Sequence, residues 1–392
     1  MATQRLRLYV YDLAGRVANP YAHVDCQRAA AGGGWAYMYR VERLLPAWLQ
    51  ATVEVVPDPR DANVFLVPHD ATCYLHHAGL PGSLRERGEV VSQTYLEPLL
   101  RAVVEQFPYF NASGGRDHVY VFPHDIGAGI FSDEVVRTTA RGIRLQYFGK
   151  APILPSGHRP VYTTRDIVIP QLVPSVPRPA SGGTLASQRP ALAFFAGAIH
   201  PDPAYSKGVR QALQAKYGQD GDARPPAERI TVHRGHVRGG GGGGGDGGGG
   251  RYVELLGNHA FGLCPAGWVP WSPRVFDVLN AGAVPVVIAD GIVEPFEQYL
   301  DWCQFALKVA SDRIADLRAI LLAARENAAA LDRMQAIGAQ VAPYFQWPHQ
   351  PAEVPRCKPC GLIALALCER LQLCSLTTQR PLQPFGLTEC LL

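Results

Sequence analysis

No run of about 18 or more apolar residues occurs in this 392-residue chain, so no segment has the length of a membrane-spanning helix. Met1 leads straight into Leu6-Arg7-Leu8-Tyr9-Val10-Tyr11, without the charged and apolar regions of a signal peptide. Taken alone, that start predicts a cytosolic protein. An excess of one charge is also missing. The 37 Lys plus Arg stand against 34 Asp plus Glu, a formal charge of +3 that argues against a nucleic-acid partner held along a basic face. Cysteine is sparse in the body: only Cys26, Cys73, Cys264 and Cys303 precede Cys357, so the body is not expected to be a disulfide scaffold. Neither a Walker A motif nor a Gly-x-Gly-x-x-Gly after a strand is present. What is present is a globular composition, 47% hydrophobic and 18% charged, in a chain longer than one core usually serves.

Strand-like and helix-like patterns alternate twice along the chain, as parallel sheets covered by helices require. In the first half Leu6 to Tyr11, Val53 to Val56, Val64 to Val67 and His118 to Phe122 read as strands. Trp35 to Leu49 and Tyr95 to Phe107 have helical spacing. Two strand ends carry the same tripeptide, Pro68-His69-Asp70 and Pro123-His124-Asp125. A Pro-rich connection from Pro170 to Pro190 predicts a linker between domains. The second half repeats the alternation, interrupted by Gly239 to Gly250, which is all Gly but Asp246 and predicts a disordered surface insertion.

The most informative run is 261–290. A strand enters a Gly/Pro turn, then a helix with Ser272 as the expected N-cap, Pro273 at the first helical position and Gly282 past its end. A helix N-terminus attracts anions, and the planar fork of Arg274 in its first turn suits a diphosphate. Asp277, one turn later, is placed to accept hydrogen bonds from ribose hydroxyls.

With these residues in view the sequence resembles the exostosin-like glycosyltransferases. The resemblance rests on Leu263-Cys264-Pro265-Ala266-Gly267, Ser272-Pro273-Arg274-Val275-Phe276-Asp277, Gly282 to Asp290, Pro295-Phe296 and Trp302-Cys303-Gln304-Phe305. Upstream, Tyr9 to Leu13, Asp61 to Pro68, Pro123-His124-Asp125, Asp166 to Pro170 and Phe194 to Gly197 occur in the family's order. Three positions depart from its pattern. Asp277 stands where Glu is usual, Ile126 where Trp is common, and Glu294 where Leu usually precedes Pro-Phe.

The resemblance implies an α/β protein of GT-B type, two Rossmann-like domains facing a cleft: residues 1–165 on the acceptor side and 166–347 on the nucleotide-sugar side. A divergent Cys-rich tail, 348–392, follows. It implies an inverting enzyme with a UDP- or GDP-linked sugar as co-substrate, a glycan acceptor, no obligatory cofactor and no metal. The work would lie in cell-wall or matrix polysaccharide synthesis or in protein glycosylation, beside a related glycosyltransferase partner. Ser272, Arg274, Asp277, Arg210, Gly267 and Asp290 are then the donor-side candidates. Asp125 and His124 are the candidates for the general base, with His69 and Asp70 competing for the role. The family, with the sequon Asn111-Ala112-Ser113, points to the Golgi lumen and a membrane association, against the cytosolic expectation above. A reading from another class is an inactive relative that binds glycan or stabilises an active partner.

Three weaker signals complete the inventory. Asp220-Gly221-Asp222 has metal-binding spacing but reads as a solvated loop. Cys357-Lys358-Pro359-Cys360 lacks the second pair that zinc requires and reads as free thiols. The run Leu362 to Leu367 is either a short helix seeking an apolar surface or poorly ordered sequence, and the abrupt change in composition after Gln350 favours the second.

Overall fold

The computed structural model describes residues 5–26, 35–147, 149, 161–173, 183–218, 224–235, 249–348 and 351–373. The Asp220-Gly221-Asp222 triplet, Gly239 to Gly248 of the glycine run, Pro174, Pro177 and Pro179 of the linker, and Cys374 and Cys390 lie outside them.

Two parallel sheets organise the chain. The first contains β1 (Arg7–Val10), β2 (Glu54–Val55), β3 (Val64–Leu66), β4 (His118–Phe122), β5 (Ile143–Gln146) and β6 (Ile167–Val168), in the order β2-β1-β3-β4-β5-β6. The second contains β7 (Ala191–Gly197), β8 (Ile230–Arg234), β9 (His259–Pro265), β10 (Val284–Ile288) and β11 (Leu307–Lys308), in the order β11-β10-β9-β7-β8. Strands β3, β4, β5, β7, β9 and β10 are buried at every position; all but β5 are largely apolar runs without alternation, whereas β5, Ile143-Arg144-Leu145-Gln146, alternates and pairs its buried Arg144 with Asp166. Edge strand β6 lies beyond the boundary expected at Arg165. Its pairing of Leu145 with Ile167 and Gln146 with Val168 places it in the first sheet, because a strand belongs to the sheet that satisfies its backbone groups.

Aromatic and backbone contacts join the two halves. Trp48 stacks on Trp347 with ring centroids 5.1 Å apart, and the Trp347 indole N–H donates to the Pro170 carbonyl at 2.8 Å. Gly149 and Val293 exchange backbone hydrogen bonds at 3.2 and 3.3 Å. The Phe296 N–H donates to Val168 O at 3.0 Å.

The tail departs most from expectation. Lys358–Arg370 is an α-helix, and Cys360, Leu362, Ile363, Ala366 and Leu367 on it are buried in the core shared by both halves. It packs against the helix Val41–Leu49 of the first half, and Arg370 reaches the Arg165 carbonyl at 3.3 Å. The expectation of poorly ordered sequence from Gln350 is therefore corrected for residues 351–373. The Leu/Ile/Ala run finds an apolar surface offered by a helix some 300 residues earlier in the chain, which local composition cannot reveal. Cys357 and Cys360 form a disulfide rather than free thiols, and the Cys357 sulfur accepts the Cys360 N–H at 3.3 Å, capping the helix. Cys26 and Cys73 form a second disulfide, and Cys303 and Cys368 are disulfide-bonded as well. The body thus carries more cross-links than its cysteine spacing suggested. Cys264, buried, is the free cysteine among the described residues.

Candidate active site

Because every strand pairing is parallel, the carboxyl ends of each sheet face one way, where α/β proteins bind ligands. At the end of β7, two guanidinium groups converge on the ring of Phe195. Arg274 Cζ lies 5.2 Å and Arg210 Cζ 5.6 Å from its centroid, within the cation–π range of about 6 Å. Arg274 begins the helix Arg274–Asn280 and donates through Nε to Ala196 O at 3.0 Å. Arg210 lies on the helix Val209–Tyr217, is 5% exposed, and donates to the carbonyls of Ala198, Ala266 and Pro265 at 2.9, 3.0 and 3.4 Å. Among the described residues neither guanidinium has a carboxylate within ion-pair distance. Burial, then repulsion by Arg274, lowers the Arg210 pKa to about 10.

Two glycines make room for this pair. A Cβ at Gly197 would stand 2.3 Å from Arg274 Nη2, and one at Gly267 would stand 2.6 Å from Arg210 Nη2. In each case the obstructed atom ends a side chain, so Gly267→Ala should push the Arg210 guanidinium off the Pro265 and Ala266 carbonyls. We expect about a 100-fold loss of turnover together with a lowered melting temperature, checked by steady-state kinetics beside a thermal melt.

Ser272 does not cap the helix with its side chain, as the sequence suggested. Its hydroxyl accepts from Arg274 Nη1 at 3.4 Å while its carbonyl accepts the Val275 N–H, because Pro273 already has helical backbone angles. Asp277 keeps partial exposure. Burial pushes its carboxyl up to about 7, and Arg274 pulls it down. The buried Tyr252 hydroxyl lies in the field of Arg274 and Asp277, and the Trp271 indole N–H is buried without a hydrogen-bond partner. Asp290 stands apart: it is exposed and accepts from the backbone N–H and the hydroxyl of Ser311.

In the first sheet, the two Pro-His-Asp tripeptides follow the adjacent strands β3 and β4. The Tyr39 hydroxyl donates to Asp125 Oδ1 at 2.8 Å. Burial pushes the Asp125 carboxyl up to about 6, a shift that the Tyr39 bond opposes. His124 is 1% exposed and clusters with the rings of Tyr39 and His76 at 5.6 and 5.3 Å. Its Nδ1 accepts the Ile126 N–H at 3.1 Å, so the ring proton sits on Nε2 and Nδ1 is occupied. Burial holds His69 at about 4, and its Nδ1 accepts from the Ala71 N–H at 3.4 Å. Asp70 is paired with Arg43 at 2.6 Å. Beside these groups a cavity of about 290 Å³ is lined by Tyr39, Arg43, Asp70, Thr72 and His77, among others. Glu42, on its wall, accepts the Thr72 and Cys73 N–H groups at 3.2 and 2.9 Å and so caps the helix Ala71–His77.

The model of the Exostosin GT47 domain matches residues 2–323. The chain belongs to the exostosin GT47 family. It is therefore a member of a glycosyltransferase family, and its two parallel sheets have the GT-B arrangement. Among curated relatives, a probable glucuronosyltransferase of Oryza sativa subsp. japonica is 31% identical over 81% of this chain and 69% of its own. A probable glucuronoxylan glucuronosyltransferase of Arabidopsis thaliana is 29% identical over 81% and 63%. A probable beta-1,4-xylosyltransferase of Arabidopsis thaliana is 26% identical over 81% and 71%. Among solved structures, a sucrose-phosphate synthase from Thermosynechococcus elongatus aligns with a TM-score of 0.41 at 11% identity, covering 94% of this chain and 99% of that one.

In this exostosin domain the structure brings together Arg210, Gly267, Ser272, Arg274 and Asp277 from the expected donor side, and His124 with Asp125 from the acceptor side. Asp290 is engaged elsewhere. Sequence reasoning missed Phe195 as the shared platform, although Phe194 to Gly197 had been noted as a landmark. It also missed Tyr39, Tyr252 and Trp271. Tyr39 lies 86 positions from Asp125, and no local pattern links the two.

Proposed function

We propose that this protein transfers a sugar from a nucleoside-diphosphate donor to a growing polysaccharide with inversion, in cell-wall glycan synthesis; its plant relatives are named as a probable glucuronoxylan glucuronosyltransferase and a probable beta-1,4-xylosyltransferase. One observation carries the reading. Among the described residues, two guanidiniums converge on the Phe195 ring with no carboxylate in ion-pair distance, and holding like charges together costs free energy that a diphosphate would offset. The orphan Trp271 N–H adds a donor nearby. Asp277 and Tyr252 fit the ribose side of such a ligand.

In the reaction the acceptor hydroxyl oxygen attacks the anomeric carbon as the bond to the diphosphate oxygen breaks on the opposite face. Arg274 and Arg210 take up the charge that develops on the leaving diphosphate. Asp125 accepts the hydroxyl proton, with Tyr39 fixing its orientation. His124 packs beneath that pair and positions it. A thermal-shift comparison of UDP and GDP against UMP tests the donor site: a nucleoside diphosphate should raise the melting temperature, and UMP should raise it less. No shift with either diphosphate, together with glycan binding, would favour an inactive relative.

The base assignment predicts a pH profile. A carboxyl near 6 is deprotonated and active above that pH and protonated below it, so kcat/KM should fall tenfold per unit as pH drops below about 6. Tyr39→Phe removes the bond that stabilises the carboxylate and should move this limb to higher pH. An acid limb that stays in place in Tyr39→Phe would remove Asp125 from the role. We also place the protein in an oxidising lumen, in keeping with the Golgi. Six cysteines among the described residues are disulfide-bonded, a pattern that reducing compartments do not sustain. Mapping the Cys26–Cys73 link by non-reducing mass spectrometry of protein from its native source tests this.

A further inference from the structure

Glu294 is a second departure on which the mechanism does not draw. It is 4% exposed, yet among the described residues its carboxylate accepts no hydrogen bond; its backbone N–H donates to Glu297 Oε2 at 2.8 Å and its carbonyl accepts the Glu297 N–H at 3.2 Å. An unpartnered buried carboxyl is costly and persists where a ligand or a functional constraint retains it. Its position is held from three sides. The Phe296 N–H is tied to Val168 O at 3.0 Å, the Pro295 carbonyl accepts the Trp302 indole N–H at 3.0 Å, and Val293 pairs with Gly149. Phe296 has φ of 55°, a left-handed conformation that a bulky aromatic rarely adopts and that packing must enforce.

The segment bearing Glu294 follows β10, whose end pairs with the end of β9: Ile288 is in register with Pro265, and the Ala266 N–H donates to Ile288 O at 2.9 Å. Arg210 grips that same Pro265 and Ala266 turn. Glu294 also shares the field around Cys264 with Arg274 and Asp277. The acid therefore stands beside the diphosphate cluster, on the side where the chain crosses to the first sheet and the transferred sugar would lie.

Resting on the donor reading above, we propose that Glu294 determines donor specificity, contacting a hydroxyl of the transferred sugar and selecting neutral sugars over uronic acids. Burial raises its pKa to about 8, with Lys308 lowering it and Glu297 raising it, so near neutrality the carboxyl can donate and accept at once, as a sugar hydroxyl does. A uronate suits neither protonation state. Ionised Glu294 repels it, and neutral Glu294 leaves its charge buried without a cation, because Lys308 is paired with Glu297.

The test measures binding and turnover of UDP-xylose, UDP-galactose and UDP-glucuronic acid, with UDP and GDP alone as controls, in wild type, Glu294→Leu and Glu294→Gln. Wild type should favour a neutral donor over UDP-glucuronic acid by at least about tenfold. Glu294→Leu should reduce that preference by about the same factor while UDP affinity stays unchanged, and Glu294→Gln should keep most of the neutral-sugar affinity. Glu294→Leu should fold at least as well as wild type, since it removes an unpaired buried carboxyl; if it does not fold, Glu294→Gln and wild type carry the comparison. A wild type that prefers the uronate, or a preference untouched by either variant, overturns the assignment. Failure of wild type to bind UDP or GDP overturns the donor reading itself, and this assignment with it.

Discussion

Arg274→Ala is expected to lower kcat/KM about 100- to 1,000-fold, equivalent to about 2.7 to 4 kcal/mol of transition-state stabilisation, while the protein still melts cooperatively. The Arg274 side chain is partly exposed, with Nε on the Ala196 carbonyl and Nη1 on the Ser272 hydroxyl, so its fork is set before any ligand arrives. Arg274→Lys should recover little, because an ammonium cannot hold the carbonyl and face a diphosphate as a planar fork does. Arg210→Ala should behave differently, losing activity and also stability, since it leaves three carbonyls, those of Ala198, Pro265 and Ala266, without their donor. Kinetics and thermal melts on the three variants separate the two arginines. Near wild-type turnover in Arg274→Ala would remove it from the site.

Truncation after Gln350 should abolish the cooperative melt or lower the melting temperature by more than about 10 °C. The cut removes the helix Lys358–Arg370, whose Cys360, Ile363 and Ala366 are completely buried and whose Leu362 and Leu367 are nearly so. Each large apolar side chain withdrawn from water contributes about 1.5 to 3 kcal/mol, and Leu362, Ile363 and Leu367 together approach the whole stability of an ordinary domain. The surface they leave belongs to a core containing Leu45, Leu49 and Phe345, so the loss reaches both halves. Circular dichroism melts of the full and shortened chains decide it. An unchanged melting temperature would show that the helix is dispensable.

Much of the candidate cluster was legible in the sequence, where chemistry and local order coincide. Arg274 and Asp277 were readable because they occupy one short helix behind a Pro/Gly turn, and Gly267 because such turns need glycine where another group approaches closely. Arg210 was harder. An arginine on a surface-patterned helix has solvent as its default, and only the carbonyls of the β9 turn, some 55 positions away, turn it inward. Asp290 is the converse case: it follows β10 in the family pattern, and in the structure its oxygens accept from Ser311.

By itself the sequence determined the parallel α/β class, most of the strand positions, the family and the polar residues at the strand ends, because these follow from hydrophobic period, turn chemistry and residue order, all of them local; the alternating β5 and the two-residue β6 were not read as strands. Tertiary structure alone decided three other matters. It set Arg210 and Arg274 on one Phe195 ring, joined Tyr39 to Asp125, and made Lys358–Arg370 of the Cys-rich tail a buried helix packed on the first half. Each depends on surfaces far apart along the chain, and burial and partner choice are properties of the packed molecule rather than of any segment within it.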